Sequence, residues 1–231
     1  MFSFLQVQAD TLANAASNVV IEKIAPNNEI SMFGFIMKGG IFLIPIAILL
    51  FYTIYLIFER YMYISRASKI DSRLMQDIGD KLNAGNIELA RTIVERSNTA
   101  AGNILKEGVL VIGRPIAEIE SNMDRAADIE IGEMERHLGH LGLIAGIAPT
   151  LGFIGTISGV IKIFYSISVT ENISIGNISG GLYEKMISSG SGLIVGIIAY
   201  SAYHLLNGKI DNFALKIQKQ ILEFVNIIQR A

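Results

Sequence analysis

Thr156 and Ser189 are hydroxyl side chains set inside long apolar runs of a 231-residue chain. A hydroxyl in such surroundings does not ionise; it donates and accepts hydrogen bonds, and so can steady a neighbouring proton carrier or water. Ser188 lies beside Ser189 and adds a third hydroxyl to the same stretch. Three charges, Lys162, Glu184 and Lys185, fall in these runs too. Charge at membrane depth is costly, which makes each a candidate for function. If Thr156 and Ser189 are level, Lys162 stands about 9 Å and Glu184 about 7.5 Å toward the same side. That match allows a Lys162–Glu184 pair near one mouth, and snorkelling of both to the interface is the alternative. No carboxylate occupies the middle of an apolar run, so a proton path here needs one from a partner.

Other constellations lead nowhere. Glu133, His137 and His140 have spacing that could suit a metal, but the acids and bases around them read as a solvated face. The GRP of 113–115 and the GFIG of 152–155 lack the strand, helix and Lys-Ser/Thr of a phosphate loop. The chain has no cysteine, hence no disulfide, thiolate ligand or cysteine nucleophile. No nucleophile–base pair stands out. The expectation is a protein that is not an enzyme, with no catalytic, metal or cofactor-binding residues. A net charge of −2 offers nucleic acid no electrostatic footing.

The elements that must hold these residues are membrane helices. The chain is 51% hydrophobic with mean hydropathy +0.46, and only 17% is charged. Soluble domains average roughly 25% charged. Residues 39–58 carry no charge and have about the 20 residues that cross a bilayer core. Two further spans are read at 141–165 and 179–206, joined by a connector at 166–178 that contains no Lys or Arg. Arg60, Arg66, Lys69 and Arg73 follow span one, and Lys209, Lys216 and Lys219 follow span three. The positive-inside bias then puts the N-terminal segment 1–38, with a possible amphipathic helix, and the connector on the periplasmic side. Region 59–140 and the C-terminal helix 207–231 are cytoplasmic on the same reading.

Breaks at Gly85-Asn86 and Asn98-Thr99 divide 71–112 into short helices, and Pro115 suits the first position of a new one. With no further proline before Pro149, one helix of about 50 residues is expected from there through span two. Ile210, Phe213, Ile217, Ile221, Phe224 and Ile228 recur at helical spacing, carrying span three onward as an amphipathic tail. At 100° per residue, Gly142, Gly146, Pro149, Gly152, Thr156 and Gly159 share one arc of span two. Lys185, Ser188, Ser189, Gly192 and Gly196 share one on span three. Such stripes either pack helices closely or line a pore.

The residues carry a resemblance as well. KGGIFLIPIAILLFYTIYLIFERYMYISRAS resembles the first span of the ExbB/TolQ/MotA proton-channel family. APTLGFIGTISGVIKIF resembles its second-span signature, and ISGGLYEKMISSGSGLIVGIIAYSAYHLL its third. The likeness covers roughly residues 32–225, and three spans in a short chain place it nearer ExbB or TolQ than MotA. It implies an all-α membrane protein with long cytoplasmic helical extensions, assembled as a homopentameric ring in the inner membrane. Within the ring would sit two copies of an ExbD/TolR-like single-span partner supplying a transmembrane Asp, coupled to a TonB-like protein. Thr156 matches the family's pore threonine and Glu184 its third-span glutamate, while Ser189 stands where a threonine is usual. Lys185 and Ile198 depart from the pattern, at positions often Ala and Pro. The alternatives are a TolQ-like subunit for envelope integrity, a gliding or secretion motor, or a membrane scaffold that conducts nothing.

Overall fold

A computed structural model of the chain describes residues 41–170 and 175–230, and among these every regular element is a helix. The helices are α1 (Leu43–Ala67), α2 (Ser72–Asn83), α3 (Ile87–Arg96), α4 (Ala100–Leu110), α5 (Ile116–Glu135), α6 (Leu138–Thr170) and α7 (Ile175–Arg230). Three stretches are long and apolar enough to cross a membrane: α1, the run through α5 into α6, and α7. The segment 1–38 and the middle of the connector lie outside the described residues. Both flanking helices reach into the connector, α6 to Thr170 and α7 from Ile175. Likewise α1 continues past Phe58 for nine more residues, its polar end serving the bundle beneath.

Local chemistry sets the short helices. Asp71 caps α2 by accepting from the Arg73 amide at 3.0 Å. The helix stops where Gly85 takes φ 73°, with Asn86 N–H bonded to Lys81 O and Gly85 N–H to Leu82 O, both at 2.9 Å. This is a Schellman stop, and Gly85 serves it because a side chain is disfavoured at that φ. Thr99 caps α4 by accepting from the Gly102 amide at 3.1 Å. Pro115 stands one place earlier than expected, as the N-cap of α5 rather than its first helical residue.

The single 50-residue helix does not form. The chain breaks at Arg136–His137, where His137 adopts φ 67°, and α6 starts afresh at Leu138. No Gly or Pro marks the place, so the periodicity runs on unbroken in sequence. Histidine is among the residues that visit the left-handed region more readily than most. By contrast, α7 is continuous for 56 residues, about 84 Å at 1.5 Å per residue.

Packing runs along α7. Its first half lies antiparallel to α6, since the residue pairs in contact rise on one helix as they fall on the other: Gly142 with Tyr203, Gly152 with Ser189, Gly181 with Ile163. Its second half buries Ile210, Phe213, Ile217, Ile221 and Phe224 against the short helices. There Met123 of α5 and Phe224 of α7 meet over Gly108 of α4. The core of this outer bundle is that of a soluble protein, whereas α1, α6 and the first half of α7 expose Ile, Leu, Phe and Tyr outward.

Candidate functional site: the hydroxyl seam between two spans

The two small-residue arcs face each other within one chain. A Cβ on Gly152 would lie 2.9 Å from Ser189 Cα and 3.1 Å from Ser188 O. Gly192 sits so close to the Ala148 carbonyl that no side chain fits, and Gly196 packs on the Pro149 ring. Much of each stripe is thus consumed by helix–helix packing, the first of the two uses open to it.

Thr156 sits in this seam, half-buried. Its Oγ1 lies 3.2 Å from Lys185 O across the seam and 3.3 Å from Gly152 O on its own helix. One hydroxyl has one proton, so it shares that proton between two carbonyls or alternates between them. Ser189 is half-buried one turn further along α7. Ser188 is 1% exposed and is the surprise: its Oγ has no hydrogen-bond partner among the described residues. A Cβ on Gly155 would lie 2.9 Å from it, so Gly155 is what lets Ser188 fit. Ser188 therefore belongs to the interior of the helix pair, not to an open face.

Lys185 is half-buried and lays its methylenes over Gly159, while Lys162 is exposed. The side chain of Glu184 lies outside the described residues, and so does any pairing with Lys162. Glu133, His137 and His140 are all exposed. The two imidazoles stack at 5.7 Å, and Tyr52 Oη lies 3.2 Å from His140 Nδ1. Among the described residues no three His, Cys, Asp or Glu side chains gather to hold a metal.

Sequence reasoning passed over Arg60, reading it only as a boundary charge. It is 5% exposed and paired with Glu59, and it donates to Glu133 O at 3.2 Å, with its guanidinium 5.1 Å from the Tyr63 ring centre. A buried cation on the last-turn carbonyls of α5 is favourably placed against the helix dipole. The signal was available: an arginine two residues past a charge-free span, next to its own acid. Thr53 was also missed; it is fully buried, its Oγ1 bonded to Leu49 O at 2.7 Å.

Residues 96–219, more than half the chain and including the whole seam, match the MotA/TolQ/ExbB proton channel family. The chain belongs to that family. It is 28% identical over 195 residues to an ExbB homolog in biopolymer transport from Methanothermobacter thermautotrophicus, covering 82% of this chain and 69% of the relative. An ExbB-like protein of Synechocystis is 26% identical, covering 74% of this chain and 68% of its own. The Tol-Pal system protein TolQ of Haemophilus influenzae is 27% identical over 47% of each chain. Members of this family are channel or energiser proteins.

Proposed function

We propose that this chain is the channel-forming subunit of an inner-membrane motor that couples proton-motive force to outer-membrane transport. In this reading five copies form a ring, and an ExbD/TolR-like partner, in two copies, brings the transmembrane Asp that this chain lacks. A TonB-like protein carries the work across the periplasm. The N-terminus is periplasmic and the C-terminus cytoplasmic. The observation that carries the reading is the seam: two half-buried hydroxyls, Thr156 and Ser189, on adjoining helices inside the family-matched region, with part of each side chain still exposed. A partner's Asp passing this level would meet hydroxyl oxygens that can accept from its protonated form where it must shed water, which lowers the cost of carrying it past.

The test is proton flux. In proteoliposomes with an imposed pH gradient and an internal pH dye, the chain with its single-span partner acidifies the lumen. The same complex carrying Thr156→Val and Ser189→Ala conducts far less. Absence of flux from the intact complex would favour the scaffold reading. The TolQ relative supports a second reading within the class, a subunit for envelope integrity. Envelope leakage in a deletion strain, with outer-membrane uptake unimpaired, would select it.

A further inference from the structure

Where α1 leaves its charge-free run, a cavity of about 550 Å³ opens between α1, the start of α4, and α5. Its charged lining is mixed: Arg66, Glu59 and Glu130, with Asn98 and Asn103 beside them. Glu59 is engaged by Arg60, and Glu130 accepts from Asn103 Nδ2 at 2.7 Å. Arg66 has no ion-pair partner among the described residues. The cavity thus offers one open cation and, across from it, an oriented carboxylate.

Its depth is informative. Glu59 to Arg66 spans about 10 Å along the helix axis, starting one residue beyond the apolar run. The headgroup layer adds some 5–7 Å to each side of the hydrocarbon core, so it takes in Glu59 to about Met62, and a long Arg66 side chain, tilted toward the helix N-terminus, reaches back to its edge. A track leads into it as well. Phe51, Tyr55, Phe58 and Met62 are each at least half exposed and follow one another at steps of four, three and four, with Arg66 four further on. An acyl chain lying along this face of α1 would deliver its headgroup to the cavity mouth.

We propose that the cavity holds the headgroup of a zwitterionic phosphoethanolamine lipid, with Arg66 on the phosphate and Glu130 on the ammonium, and the lipid tail along Phe51–Met62. A purely basic pocket would favour an anionic headgroup. The carboxylate of Glu130 reverses that preference, because it repels a second negative charge and pairs with the amine. This site stands apart from the seam and does not depend on proton conduction or on subunit number.

The experiment is native mass spectrometry of the full chain released from nanodiscs containing equal phosphatidylethanolamine and phosphatidylglycerol. Wild type retains phosphatidylethanolamine preferentially. Arg66→Gln lowers that retention about tenfold, the scale of one charge-assisted contact, and Arg66→Lys restores most of it. Glu130→Gln turns the preference toward phosphatidylglycerol. An excess of soluble phosphoethanolamine leaves the lipid in place. Equal retention of the two lipids by wild type overturns the proposal, as does an unchanged preference in Glu130→Gln. Displacement by the soluble headgroup overturns the tail track along α1.

Discussion

Thr156 packs within the seam, and in the proposed function it serves proton handling as well. Its hydroxyl already has two carbonyl acceptors, so the seam satisfies it without a partner subunit. Replacing it by valine keeps the shape and removes a bond that contributes about 1 kcal/mol. Thr156→Val and Ser189→Ala should therefore leave the complex assembled on a sizing column while energy-dependent uptake falls sharply. Ser189→Thr, which keeps the hydroxyl, should retain uptake. Full uptake in both hydroxyl deletions would make these residues packing contacts and nothing more. The glycines divide in a different way. Gly192 abuts backbone that cannot yield, whereas a methyl added at Gly146 would meet nothing within 4 Å. Gly192→Ala should lower the melting point of the detergent-solubilised chain, at a cost of about 1–3 kcal/mol. Gly146→Ala should be neutral or slightly stabilising.

At the scale of elements, the joint between α5 and α6 is held from outside its own sequence. Arg60 reaches from α1 to Glu133 O, three residues before the break, while His137 takes the left-handed turn that redirects the chain. Arg60→Met should destabilise the fold by about 1–3 kcal/mol, since it strands the half-buried Glu59 and an α5 carbonyl. Arg60→Lys should recover only part, because an ammonium lacks the guanidinium fork. His137→Gly should be tolerated, and His137→Val should cost about 1–2 kcal/mol for placing a branched side chain at positive φ. Thermal melts followed by circular dichroism read all four. This joint also marks where the sequence was silent. The spans were legible because a charge-free run of bilayer length has few other uses, and the α2 stop was legible because Gly85-Asn86 carries its own turn chemistry. Arg136-His137 carries none, and the contact beside it comes from Arg60, 73 positions before Glu133. The hydroxyl seam was half legible. Helical spacing put Thr156, Ser188 and Ser189 on the right arcs, but only the antiparallel pairing of α6 with α7 reveals that those arcs meet and that Ser188 is enclosed.

For the whole molecule, the decisive feature is apolar surface that lipid cannot reach. Exposed Phe153, Ile157 and Leu193 lie in the membrane stretches, where acyl chains or another helix can cover them equally well. Leu215 and Leu222 differ: they lie on the tail of α7, nine and sixteen residues past the third apolar run, yet are 59% and 63% exposed. Seven residues apart, they share one face of the helix, the repeat by which helices pack against helices. The proposed homopentamer gives that face a neighbouring subunit to cover it. Neither side chain supports the chain's own core, so replacing both should spare the fold. Leu215→Gln with Leu222→Lys should keep its helical circular dichroism and its melting point within a few degrees. Native mass spectrometry of the same sample should show the pentamer giving way to smaller species. An intact pentamer in that double variant would mean the tail faces water, and the ring would then have to be held by its membrane spans alone.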